Sequence, residues 1–143
     1  MASTIAPHLI VAGAAKAIEF YKKAFGATEL MRLTQPDGKI GHAELQIGGA
    51  KIMLADEVLD MGFWSPRSLG GSSTGIVLYV DDVDDAFKRA VEAGARTQQP
   101  VQDQFYGDRS GTLIDPFGHM WTIATHVEDV SPAEMRHRMH AST

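Results

Sequence analysis

Two stretches of this chain carry the same order of signals at a constant offset. Val11 and Val80 close matching apolar runs, and Gly49 and Gly118 sit in matching turns. Both pairs are 69 residues apart (80 − 11 and 118 − 49). The first stretch opens with the short apolar strand His8-Leu9-Ile10-Val11. Ala17, Ile18, Tyr21 and Phe25 then recur at helical spacing, and Gly26 stops the helix Ala14 to Phe25. Thr28 to Leu33 is extended and ends at Pro36-Asp37-Gly38, and Gly41 to Leu54 reads as strand, glycine turn, strand. The second stretch repeats this with Ile76 to Val80 and a helix Val83 to Ala93, for which Asp82 and Asp85 supply the N-cap and Gly94 the stop. Arg96 to Gln99 is its next strand, with Pro100 marking an edge or a bend. Gly107 to His126 is its hairpin, turning on Asp115-Pro116-Phe117-Gly118 before the alternating run Met120 to Thr125. Each stretch is β-α-β-β-β. Neither could bury a sheet face alone, so a duplication sharing one core is expected.

At 143 residues the chain fits one domain. Its expected organisation is a first module at about 5–56, a linker at 57–74, a second module at about 75–127 and a short C-terminal helix at 131–140. The helix is signalled by the capping box Ser131-Pro132-Ala133-Glu134, with Met135 and Met139 on one side. The linker is rich in Ser and Gly, yet Met61, Phe63 and Trp64 are too apolar for free solvation. It is expected to cover an opening or to meet a partner chain. A content of 44% hydrophobic and 22% charged residues speaks against disorder. A net charge of -5 with scattered basic residues gives no electrostatic footprint for nucleic acid. Without cysteine there is no disulfide framework, thiolate nucleophile or Cys-based metal site. No apolar run reaches the roughly 18 residues of a membrane span. The first residues lack the features of a secretory signal, so a cytoplasmic location is the default expectation.

Paired β-α-β-β-β modules of this size resemble the vicinal oxygen chelate superfamily of glyoxalases, bleomycin-resistance proteins and extradiol dioxygenases. The run Ala17 to Gly26, then Tyr106-Gly107-Asp108-Arg109, Asp115-Pro116-Phe117-Gly118-His119 and Trp121, resemble its PhnB-like, glyoxalase-like branch. The resemblance implies an α+β fold in which two βαβββ modules form a cupped mixed sheet, and it implies a homodimer. It implies little about activity, since one scaffold hosts unrelated chemistries. In metal-using members the ligands come from the first and fourth strands of each module. The corresponding positions here are Ala6, Met53, Gly75 and Thr122, none of which offers imidazole or carboxylate. The resemblance therefore implies a cup without the familiar metal, and no cofactor. An unorthodox divalent site from His8, His42, Glu44 and His126 stays open.

Strand alternation then selects the residues that line the cup. Leu45 and Ile47 should face the helix, which turns His42, Glu44 and Gln46 to the cup with His8, Tyr79, Thr122 and His126. Arg109 joins them if no bulge intervenes. Other roles compete: His8 as a hydrogen-bonded wall residue, His42 and Glu44 as a solvated face, Asp108 and Arg109 as a local ion pair. His119 should be solvated in its turn, and Trp121 should be core. Three functions are compatible. The chain binds a small aromatic or amphipathic molecule at His8, His42, Glu44, Tyr79, Arg109, Thr122 and His126. Alternatively it is a lyase or isomerase using His8, His42 or Glu44 as acid and base. Or it is a structural or regulatory dimer with no ligand.

Overall fold

Both repeats fold in the order expected of them. The computed structural model describes residues 2–141. Module one comprises β1 (His8–Val11), α1 (Ala14–Phe25), β2 (Thr28–Thr34), β3 (Ile40–Ile47) and β4 (Ala50–Asp56). A 3-10 turn, Leu59–Met61, and the short helix α2 (Pro66–Leu69) follow. Module two comprises β5 (Gly75–Tyr79), α3 (Val83–Ala93), β6 (Arg96–Asp103), β7 (Asp108–Ile114) and β8 (Met120–His126), and α4 (Pro132–Ala141) ends the chain. The strands form two four-stranded mixed sheets, ordered β1-β4-β3-β2 and β5-β8-β7-β6. In each, the first strand runs parallel to the last and the other neighbours are antiparallel. β6 continues through Pro100, further than the sequence suggests. An edge strand tolerates this because a proline there need not donate to a ladder.

The core lies between the sheets and the two long helices. Leu9, Val11, Ala43, Leu45, Ile47, Ile52 and Leu54 turn inward from the first sheet, and Leu113, Trp121 and Ile123 from the second. α1 and α3 pack on each other, and an aromatic cluster spans the junction. Phe25 and Trp121 have ring centroids 4.4 Å apart, Tyr21 and Trp121 5.5 Å, and Phe20 and Phe117 6.3 Å. Burying each such ring contributes about 1.5–3 kcal/mol. Trp121 is core, as expected.

Asp115 ties this junction together from the second hairpin turn. Its Oδ2 accepts from Tyr21 Oη at 2.5 Å and from Trp121 Nε1 at 2.9 Å, while its Oδ1 accepts from the backbone N–H of Phe117 and His119. Burial first, then the Asp115 carboxylate, holds the Tyr21 phenol well above its ordinary range. His119 is not solvated in its turn. Its Nε2 lies 2.9 Å from the carbonyl of Ile10, so it bridges to the other module.

The two hairpins differ by one residue. Glu44 pairs with Met53, nine residues on, whereas Thr112 pairs with Thr122, ten residues on. Asp115-Pro116-Phe117-Gly118-His119 needs the extra position to place Asp115 under the turn. One added residue inverts side-chain alternation on β7 relative to β3.

The linker is folded. Val58 and Phe63 form an antiparallel bridge, and Glu57 Oε1 accepts from Ser65 N at 3.0 Å and Ser68 Oγ at 2.7 Å. Pro66 packs against Gly118, where a Cβ would stand 2.7 Å from the Pro66 Cβ. Ser131 Oγ caps α4 by accepting from Glu134 N. The expected methionine stripe is only partly covered: Met135 is half-buried and Met139 exposed. Arg138 holds this helix through Glu128 and the Phe105 carbonyl. Among the described residues no helix is long and apolar enough to cross a membrane.

Candidate functional site

Each sheet has one face on the helices and one face away from them. On the first sheet the open face carries the row His8, Met53, Glu44, Met31, read directly from the strand pairings. The His42 ring lies 6.2 Å from that of His8, and its Nε2 is 3.0 Å from Glu44 Oε2. Lys51 Nζ reaches Glu44 Oε1 at 3.0 Å. His42 first, then Lys51, lowers the Glu44 carboxyl below its usual range, keeping it an acceptor at neutral pH. His8, His42 and Glu44 are thus gathered. Gln46 turns to solvent and bonds the Gly48 carbonyl.

The second sheet gathers a different set. Tyr79 pairs across the ladder with Ala124, which pairs with Ser110; Val77 pairs with Thr122, which pairs with Thr112. The hydroxyls of Thr112 and Thr122 are 3.0 Å apart. Tyr79 Oη donates to Asp108 Oδ2 at 2.7 Å, and His126 Nδ1 is 2.9 Å from Asp108 Oδ1. His126 Nε2 lies 2.7 Å from Asp129 Oδ1. A neutral imidazole has one N–H, so ionised carboxylates at both ring nitrogens call for the imidazolium. Accordingly the His126 pKa is raised, by Asp108 first and then Asp129. The hydrogen bond to Asp108 likewise raises the Tyr79 phenol.

Three sequence expectations need correction here. Arg109 does not face the cup side. Its guanidinium lies on Asp84 in the first turn of α3, at 2.9 and 3.0 Å, and on Asp103 at 3.2 Å. The longer second hairpin is the reason: it turns Asp108 to the open face and Arg109 to the helix face. Asp108 and Arg109 are therefore not a local ion pair. Nor does His126 join His8, His42 and Glu44, because it belongs to the other sheet. Among the described residues no group of three or more His, Asp or Glu is arranged to hold a metal ion. Met53 lies beside His8, Gly75 beside Met120, and Thr122 beside Val77. That donor set does not fit a divalent metal.

Cavities adjoin these faces. One of about 510 Å³ runs along the free edges of β1 and β5, between His8, Ile76, His119 and Trp64. A second, of about 260 Å³, lies under the bridged linker turn and shares His8 and Ile10 with the first. A third, of about 370 Å³, adjoins Tyr79 and His126. Sequence reasoning missed Lys51, Asp108 and Asp129 as partners. A count of hairpin residues would have found Asp108.

A family model described as the Glyoxalase/Bleomycin resistance protein/Dioxygenase superfamily matches residues 4–123. Protein Mb0911c of Mycobacterium bovis, itself uncharacterized, is 46% identical over 138 residues, covering 94% of this chain and 91% of its own. The crystal structure of TioX from Micromonospora sp. ML1 superposes with a TM-score of 0.68 at 30% identity, over 88% of this chain and 100% of that one. A PhnB protein from Bacillus cereus gives a TM-score of 0.67 at 17% identity, over 86% and 99% of the two chains, a likeness of fold.

Proposed function

This chain belongs to the glyoxalase/bleomycin resistance protein/dioxygenase superfamily, and from that premise we propose that it binds a small aromatic or amphipathic molecule without the superfamily's metal. The observation that carries this reading is the chemistry of the open faces. Imidazole, carboxylate and methionine side chains stand on one face and phenol, hydroxyl and imidazole on the other, and His8, Tyr79 and His126 among them line cavities. Such a mixture is costly as dry interior and suits a ligand wall. Contacts would come from His8, His42 and Glu44 on one face and from Tyr79, Thr122 and His126 on the other.

We infer a homodimer for the same protein. The chain exposes 8748 Å². A 15.5 kDa monomer is expected to expose only ~7,200 Å², and the excess of ~1,500 Å² is about twice what one partner loses in a standard interface, within the range of the larger, obligate class. Met61, Phe63 and Trp64 of the linker are 70%, 43% and 48% exposed and supply apolar surface for it.

A second reading, an isomerase or lyase, is favoured by the Glu44–His42 contact at 3.0 Å, an oriented acid/base pair within reach of His8. Native mass spectrometry of protein purified without chelator tests these readings together. A dimer carrying a co-purified organic molecule and no metal is expected. A monomer rules out the dimer, a stoichiometric metal overturns the metal-free cup, and a ligand-free dimer favours a structural role. With a ligand in hand, Tyr79→Ala and His42→Ala should each weaken it while leaving the fold intact.

A further inference from the structure

The linker turn over the first sheet is built like a preformed flap. Val58 N donates to the Phe63 carbonyl at 2.9 Å and Phe63 N to the Val58 carbonyl at 3.1 Å. Met61 N closes the 3-10 turn onto the Val58 carbonyl, and the Glu57 carboxylate pins the far end through Ser65 and Ser68. This rigid loop presents Val58, Met61 and Phe63 over the cavity of about 260 Å³, whose opposite wall includes Ile10 and Ala55. The three flap side chains line this cavity and stay 40%, 70% and 43% exposed, so the chain's own side chains leave it open. The volume lies just below the usual range of ligand pockets, about 300–1,000 Å³, yet an engineered cavity of about 150 Å³ already accepts benzene.

Charge around the slot narrows the occupant. Asp56 and Glu57 line it with Lys39, His8 and Gln35. Asp56 is engaged by the backbone N–H groups of Gly13, Ala14 and Ile40, and the bonds from Ser65 and Ser68 hold the Glu57 carboxyl below its usual range. An anionic ligand would meet two fixed carboxylates. An ammonium would meet Lys39, and three of the four carboxylate oxygens already accept hydrogen bonds. A neutral head that both donates and accepts offends neither.

We propose that the slot under the Val58–Phe63 flap receives a neutral one- or two-ring aromatic molecule whose hydroxyl, or similar head, meets His8, Gln35 or Lys39. This rests on the small-molecule reading above and gives it a ring pocket and a charge preference.

The test uses the full chain and three matched probes, 2-naphthol, 2-naphthoate and 2-(aminomethyl)naphthalene, titrated by calorimetry and by NMR. 2-Naphthol should bind at least about tenfold more tightly than either charged probe, a difference of about 1.4 kcal/mol. Phe63→Ala and Met61→Ala should each weaken it about tenfold, with shifts confined to the flap, Ile10 and Ala55. Equal or tighter binding of a charged probe overturns the charge preference. Unchanged affinity in both flap variants with a loss in Tyr79→Ala places the ligand on the second sheet, which sinks this inference and spares the parent reading. Failure of all three probes to bind at millimolar concentration overturns the slot as a ring pocket, while native mass spectrometry still decides the parent reading independently.

Discussion

The two sheets share a ladder and differ in what they display on it. His8 pairs with Met53 as Val77 pairs with Thr122, and each pair of equivalents is 69 residues apart (77 − 8 and 122 − 53). On that common frame the first sheet shows two imidazoles, a carboxylate and an ammonium, with His8 alone of these at the flap. The second shows a phenol, two hydroxyls and a carboxylate–imidazole–carboxylate chain. Backbone pairing is set by hydrogen bonds that every residue type can make, so it outlasts duplication. The open faces answer to no core and are free to diverge.

The hairpins are where this comparison breaks most readily. Asp115→Ala would leave the Trp121 indole, the Tyr21 hydroxyl and two backbone N–H groups without their acceptor in a buried site, at a cost of about 3–5 kcal/mol. Urea unfolding measures it, and a loss below about 1 kcal/mol would make the hairpins equivalent after all. Gly118 has φ +92° and meets Pro66, so Gly118→Ala should cost about 2–3 kcal/mol. Gly49 meets nothing within 4 Å, and Gly49→Ala should change stability by less than about 0.5 kcal/mol.

The faces give smaller tests. Arg109→Ala should leave affinity for the bound molecule unchanged within about twofold, because its guanidinium lies on the helix side. A loss comparable to that in Tyr79→Ala would return Arg109 to the site. Last is the titration of His126, followed by NMR. Its midpoint should lie above the ordinary histidine value, and Asp129→Asn should lower it. A raised folded pKa means that the stabilisation is complete below the unfolded value and fades as pH rises through the folded one. Proteolysis near Asp129 should accordingly become faster on the alkaline side of that midpoint. A midpoint at or below the ordinary value would mean that the two carboxylates do not grip the ring.

Much of this architecture was legible. Helix stops at Gly26 and Gly94, the Asp82 cap, the inward turn of Trp121 and the gathering of His8, His42 and Glu44 all follow from local rules of spacing and alternation. What was illegible depended on distance or on counting. His119 finds its partner 109 residues away, which no local pattern encodes. Arg109 was misplaced because alternation was carried from one repeat to the other across turns of unequal length. The flap hid within a composition that reads as loop, since its order comes from Glu57 and a two-residue bridge rather than from periodicity.

The Asp115 junction also bears on how long the folded protein lasts once made. Tyr21 and Asp115 are 94 residues apart, so their bond closes a long loop between the repeats and is expected to form late in folding. Interactions absent from the transition state act on the unfolding rate and leave the folding rate nearly untouched. Tyr21→Phe should therefore shorten the native lifetime without slowing refolding, making this single hydroxyl a kinetic lock on the core that the two repeats share.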